Sequence, residues 1–368
     1  MGPAAAGFAP LRGGSGGRGG VRLCGVMDVR QVLRFAGAIR VRTMSRLASR
    51  WAALAGRSPF PAVRRPTVFH GFWDGPPLGP LRYACLKSFV ELGHRFELYV
   101  YGPVDVPRGV ILMDAEQIIP RSETFYYQNP RIDDPDEGGK DLGPFSDLFR
   151  FKLLAERGGW WSDVDTVCLS PSIPQVERAW ACECPEMGGV RIGTSQISFR
   201  QGDPIAVELY SRCRALSRTS FSPREALGPM LLSRTIHELG LAHNEFGSTD
   251  RFYPIRWIEM FKLWLPKYRD EVEARCKGAL FLPIYQSFIK YIGLSATDMP
   301  PRGSYLGEFC ARHLPGRFGR SGHRPEEIYE ALRSFFMKNQ EWAIGELVAV
   351  SGDAILRDLQ LAPPARSL

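Results

Sequence analysis

From Thr67 onward, apolar runs of strand length alternate with stretches of helical period. Pro66 to Trp73 (PTVFHGFW) is a short apolar run that ends at Asp74-Gly75-Pro76-Pro77, a loop signal. Pro80 to Leu92 predicts a helix with Pro80 in its first turn. Arg95 to Tyr101 and Gly109 to Asp114 are again strand-like, and strand, helix, strand with short links predicts a parallel α/β sheet. Asp114 closes its strand and is placed to cap the turn Ala115 to Ile118. Tyr126 to Lys140 is polar, with Asp133, Asp134, Asp136 and Glu137 clustered, and predicts an exposed loop.

The most informative pattern follows. Ser146 is a suitable N-cap, and Leu148, Phe149, Phe151, Leu153 and Leu154 then recur at helical spacing until Gly158-Gly159 stops the helix. Trp160-Trp161-Ser162 leads into Asp163-Val164-Asp165 and the strand-like Thr166 to Leu169. Further on, Trp180 to Glu183, Ile192 to Phe199 and Phe252 to Ile255 predict strands. Pro204 to Leu216, Leu227 to Leu239 and Pro325 to Leu361 predict helical segments.

Composition and charge narrow the picture. The chain has 368 residues, 44% of them hydrophobic, enough for one large domain or two small ones. No apolar run approaches the ~18 residues of a membrane span. Eight cysteines are scattered without zinc spacing, which favours reduced thiols and a cytoplasmic setting. Residues 1–66 hold twelve Arg, no Lys and one acid, Asp28, a net of +11. The whole chain is +8, so residues 67–368 carry −3, and nucleic-acid binding loses its electrostatic basis. Residues 1–65 therefore stand apart as a disordered basic leader, with an amphipathic helical stripe at Val29, Val32, Leu33, Ala36, Met44, Leu47, Ala48 and Trp51. Three readings of it stay open: sequence without a role, a peripheral contact with an anionic membrane, and a transit peptide. An α/β domain over 66–320 and a C-terminal helical extension over 321–368 complete the expected organisation.

Two carboxylates one residue apart, where an apolar strand surfaces after a buried helix, suit a hard divalent cation such as Mg²⁺ or Mn²⁺. SDLFRFKLLAERGGWWSDVD resembles the core block of the DXD-containing, sugar-binding glycosyltransferases. These include yeast Golgi mannosyltransferases, lactosylceramide α-galactosyltransferase, bacterial capsule enzymes and the glucosylating clostridial toxins. The family pattern places an SD-x-x-R helix before a Gly-Gly pair and a DxD, and Asp147, Arg150, Asp163 and Asp165 occupy those positions with the family spacing.

The resemblance covers roughly Thr67 to His313. It implies a GT-A-like, nucleotide-sugar-binding α/β fold with a mostly parallel central sheet. It also implies retaining transfer of a hexose from UDP- or GDP-hexose to a glycan or lipid-linked acceptor, at the inner face of a membrane if the leader docks there. Asp163 and Asp165 would be the metal ligands, Asp147 would bind sugar hydroxyls, and Arg150 would bridge sugar and phosphate. Trp73 would stack on the base, where its position alone equally suits a buried aromatic at a strand end. Apart from the resemblance, Asp114 at its strand end is a candidate nucleoside contact, and the acidic loop is a candidate flank of the acceptor. One departure stands out. The His of an H-x-[WY]-N element in bacterial relatives, aligned back from Gly293, falls on Pro283, with Tyr285 and Gln286 at the aromatic and Asn positions.

Two other readings fit parts of the chain. An apolar strand ending in D-x-D-x-V is also the haloacid-dehalogenase phosphatase pattern, with Gly352, Asp353 and Asp358 as a late acidic motif. That reading gives no work to Asp147, Arg150 or the glycine pair. Pro283 suggests instead a domain that binds a nucleotide sugar without turning it over.

Overall fold

The computed structural model describes residues 67–128, 140–187, 191–220, 223–295, 297–317, 322–339 and 343–361. The basic leader, Asp133, Asp134, Asp136 and Glu137 lie outside them. The order begins β1 (Val68–Trp73), α1 (Gly79–Glu91), β2 (Arg95–Val100), β3 (Val110–Asp114). A small ladder, β4 (Tyr127–Gln128) with β5 (Lys140–Asp141), leads into α2 (Gly143–Arg157), β6 (Gly159–Ser162) and β7 (Thr166–Cys168). Then come β8 (Arg178–Ala179), β9 (Gln196–Phe199), α3 (Pro204–Leu216) and α4 (Pro229–Glu238).

The central sheet has six strands in the order β3-β2-β1-β6-β9-β8. β3, β2, β1 and β6 pair in parallel, while β9 runs against both β6 and β8. Five strands thus share one direction, and the expected α/β class with a mostly parallel sheet is what the chain forms. Central strands of such a sheet are buried on both faces. The sequence shows this at Trp160-Trp161, where alternation sends successive rings to opposite faces. Trp160 joins Phe69, Phe89, Phe96 and Phe281 on the α1 side, and Trp161 joins Phe72, Phe145, Phe149 and Trp180 on the α2 side.

Several boundaries differ from expectation. Helix α2 starts at Gly143 with Pro144 in its first turn, so Ser146 lies inside the helix and does not cap it. Pro's fixed φ and missing N–H suit the first turn and outrank a serine two residues later. The stop at Gly158-Gly159 is as expected, with φ values of 67° and 92°. A Cβ on Gly158 would also lie 2.3 Å from the Gln201 backbone nitrogen. Phe252 to Ile255 is no strand: Thr249–Phe252 forms a short helix, α5, and the apolar residues after it fill a core. Trp180 to Glu183 makes only isolated bridges, to Glu245 and Ile192 among others.

The chain continues through α6 (Arg269–Cys276), β10 (Phe281–Pro283), α7 (Gln286–Tyr291) and α8 (Tyr305–His313). It ends with α9 (Pro325–Lys338), α10 (Gly345–Ser351) and α11 (Ala354–Asp358). Strand β7 leaves the central sheet and pairs antiparallel with β10. The last helices are no loose appendage. Ile328, Leu332, Phe336, Leu347 and Leu356 share one buried cluster with Ile258, Phe261 and Trp264. Among the described residues no helix is long and apolar enough to cross a membrane, and all seven described cysteines are free and buried.

Candidate functional site

The acidic turn lies at the C-terminal end of β6, the edge where open α/β sheets bind ligands. The Asp163 N–H donates to the Ser195 carbonyl at 3.0 Å and Thr166 N–H donates back to the Asp163 carbonyl at 3.2 Å. Val164 is buried inside the turn, and the Asp163 side chain stays about a third exposed.

Asp147 and Arg150 are three residues apart on α2 and so share a face. Both are buried. The Arg150 guanidinium donates to Asp147 Oδ1 and, at 2.7 Å, to Asp163 Oδ1. It also lies 4.8 Å over the Trp161 ring, whose Nε1–H donates to the same Asp163 oxygen at 2.7 Å. One cation thus ties helix α2 to the acidic turn, and its Nε–H is buried without a partner among the described residues. Gly228, the residue that leads into α4, closes the other side of Asp147. A Cβ on Gly228 would fall 2.3 Å from Asp147 Oδ2, so only glycine allows this approach. Burial raises the Asp147 pKa to about 6, against the pull of Arg150 and Arg224. Arg224 is itself held by the Asp141 carboxylate.

Asp165 is oriented from the far end of the chain. Its carbonyl accepts from Ile284 N–H at 2.9 Å, and its Oδ2 accepts from Gln286 N–H at 2.9 Å. Tyr285, between them, takes the left-handed φ of 39° that lets the chain turn and aim that N–H. A non-glycine residue there is uncommon and is held only by its surroundings. Burial and the neighbouring Asp163 charge raise the Asp165 pKa, while Arg82 lowers it. The Pro283-Ile284-Tyr285-Gln286 segment thus meets the acidic turn. Pro283 pairs with Thr166 across the β7–β10 ladder and has no ligating atom to offer in its side chain.

Among the described residues no three His, Cys, Asp or Glu side chains are placed to share one ion. The donor set that is present, Asp163 and Asp165, fits a Mg²⁺- or Mn²⁺-type ion that takes one or two carboxylates and completes its shell with phosphate oxygens and water.

Trp73 ends β1, with its Nε1–H bonded to the Pro76 carbonyl at 2.9 Å and the Arg82 guanidinium 4.5 Å over its ring. Asp114 ends edge strand β3, and its Oδ1 accepts from Glu116 N–H at 3.0 Å, the cap expected of it. The structure brings Asp147, Arg150 and Asp163 into one hydrogen-bonded cluster, sets Asp165 beside it on the same turn, held by Gln286, and leaves Asp114 with a local structural partner. The late acidic motif of the phosphatase reading is used otherwise: Asp358 pairs with Lys267 at 2.6 Å, and no described contact joins it to Asp163 or Asp165.

Sequence reasoning missed Trp161, Arg224 and Gly228 as neighbours of the cluster. Trp161 carried a usable signal, since a residue two before an acidic turn shares the strand face of that turn's first carboxylate. Gly228 stood out only as the Gly-Pro that opens a helix, and Arg224 reaches the site from a separate element with no signal of its own.

No family model matches this sequence, and no curated protein matches it. Among solved structures the chain is similar to the PaToxG glycosyltransferase. The TM-score is 0.34 and the identity 10%, over 69% of this chain and 87% of that one.

Proposed function

We propose that this chain transfers a hexose, with retention at the anomeric carbon, from a nucleotide sugar to a glycan or lipid-linked acceptor. The observation that carries the reading is the Arg150 bridge, which joins a buried carboxylate on α2 to the first of two carboxylates at a strand end. In that arrangement Asp147 accepts from sugar hydroxyls, and Arg150 spans sugar and phosphate and fixes their relative position. Asp163 and Asp165 would hold Mn²⁺ or Mg²⁺, which would supply Lewis-acid neutralisation of the leaving diphosphate. The bond from the anomeric carbon to the phosphate oxygen breaks, a bond to the acceptor oxygen forms, and the acceptor proton passes to the departing phosphate. Trp73 stacks on the base.

A thermal-shift panel of UDP-, GDP- and TDP-sugars with and without Mn²⁺ tests this. Stabilisation by one base in the presence of Mn²⁺, with slow hydrolysis of that donor when no acceptor is present, is expected. Turnover of a phosphomonoester instead would replace the reading with the phosphatase one. Mn²⁺-dependent nucleotide binding without any turnover would leave a binding domain.

Asp147→Asn should lower turnover on the order of 10²-fold while leaving nucleoside diphosphate binding nearly unchanged. An equal loss of both would make the residue merely structural. Its titration gives a second readout. Because the folded-state pKa is raised to about 6, from about 3.9 in an unfolded chain, Asp147 adds stability below about pH 4. That contribution is lost as pH rises through about 6. In Asp147→Asn the stability slope between pH 4 and 7 should flatten; an unchanged slope would remove Asp147 as its source.

The leader is tested separately, because residues 1–65 lie outside the described structure. Full-length protein should sediment with anionic liposomes at low salt, with about 1 kcal/mol per engaged basic residue. It should release as the Debye length shrinks from about 10 Å at 0.1 M to about 3 Å at 1 M. A version starting at Pro66 should stay in the supernatant. Both versions staying in the supernatant would end the anchor reading.

A further inference from the structure

Two donors meet Asp163 on one and the same oxygen. Its Oδ1 accepts from Trp161 Nε1–H and from the Arg150 guanidinium, both at 2.7 Å. A carboxylate oxygen has about two in-plane lone-pair sites, so this pair of donors fills Oδ1. Among the described residues none hydrogen-bonds Oδ2, and the Asp163 side chain is 30% exposed. The partner carboxylate is also held by one oxygen, Asp165 Oδ2, through the Gln286 N–H at 2.9 Å.

Of the two donors to Asp163, Trp161 is the one with no other task. Arg150 also donates to Asp147 and would span sugar and phosphate. Trp161 sits on central strand β6, between β1 and β9, and is 1% exposed. Its ring packs with Phe145, Phe149 and Trp180 and carries the Arg150 guanidinium at 4.8 Å. An indole N–H can only donate, and this one is fixed in direction by the packing around it. We propose that Trp161 is a positioning residue that sets metal selectivity: with Arg150 it closes Asp163 Oδ1, so that Asp163 would meet a cation through Oδ2 alone. One-oxygen carboxylate contacts suit the strict octahedron of a Mg²⁺- or Mn²⁺-type ion, whereas Ca²⁺ takes more oxygens and often a two-oxygen carboxylate grip. This inference rests on the nucleotide-sugar reading above.

Electron paramagnetic resonance of free Mn²⁺, with Mg²⁺ and Ca²⁺ as competitors, tests it on the wild-type chain, Trp161→Phe and Trp160→Phe. Each titration is run alone and with UDP, GDP or TDP. Trp161→Phe keeps a ring in the core and removes the N–H. Trp160→Phe makes the same change on the opposite face, where the ring packs on Phe69 and Phe281. The wild-type chain should prefer Mn²⁺ and Mg²⁺ to Ca²⁺. Trp161→Phe should lose about tenfold to a hundredfold in Mn²⁺ affinity, the usual cost of removing a partner that orients a metal ligand. It should lose much less for Ca²⁺, because a freed Oδ1 can join Oδ2 in a two-oxygen grip. Trp160→Phe should keep wild-type affinities. Unchanged Mn²⁺ affinity in Trp161→Phe, equal losses for Mn²⁺ and Ca²⁺, or the same loss in Trp160→Phe would overturn this inference alone. Equal binding of Ca²⁺ and Mn²⁺ by the wild-type chain would overturn it without any variant. A wild-type chain that binds Mn²⁺ under none of these conditions would overturn the functional reading itself.

Discussion

Asp165→Asn should abolish Mn²⁺-dependent turnover and leave the fold intact. The substitution changes a charge and not a volume, and the Asn side-chain oxygen can still accept from Gln286 N–H, now 2.9 Å from Asp165 Oδ2. The carboxylate is already costly to ionise in the folded chain, first through burial and then through the Asp163 charge. A divalent ion offsets both, so loss of the charge removes half of a two-carboxylate donor set. The variant should also be at least as heat-stable as wild type without metal, since the repulsion with Asp163 is gone. Donor hydrolysis with and without Mn²⁺, followed beside the melting curve, decides it. Full activity in Asp165→Asn would sink the metal assignment.

Glu259→Gln should cost about 3–5 kcal/mol of stability, the usual result of breaking a buried ion pair from one side. Glu259 is 1% exposed. Its Oε1 accepts from Lys262 Nζ at 2.7 Å and from Ser351 Oγ at 2.7 Å, and its Oε2 accepts from Arg275 at 2.8 Å. Burial by itself would raise its pKa, but Arg275 and Lys262 outweigh it and hold the carboxyl at about 2. A depressed carboxylate contributes stability above the unfolded value of about 4.3, and that contribution is lost as pH falls toward 2. Glu271 remains to share Lys262, at 2.8 Å, which sets the loss nearer the lower figure. Ser351→Ala, which removes one hydrogen bond at the end of α10, should cost only about 1 kcal/mol. Urea unfolding of both variants measures the contrast, and near-equal losses would show that the charges, not the hydroxyl, have been overvalued.

The legible part of the chain was its local chemistry. Val68–Trp73, Arg95–Val100 and Val110–Asp114 read as strands, and Pro204–Leu216 as a helix, because period and turn residues there agree with the fold. Asp147, Arg150, Asp163 and Asp165 were legible as a group because helix, glycine stop and strand are continuous in sequence, so their spacing determines their approach. Ser146 and Phe252 to Ile255 misled for a related reason. Short-range signals compete, and Pro144 and burial in the core outranked a serine cap and a β-like composition.

By itself the sequence determined the α/β order, the place of the acidic turn and the arginine that reaches it from α2. Tertiary structure alone decided what surrounds that turn. Gly228, at the N-terminal edge of α4, closes on Asp147, and Gln286 reaches Asp165 from a segment 121 residues away. β7 leaves the sheet to pair with β10, and that pairing carries Gln286 to the carboxylate. Such contacts depend on how whole elements pack, and packing is a property of complementary surfaces that no local spacing along the chain records.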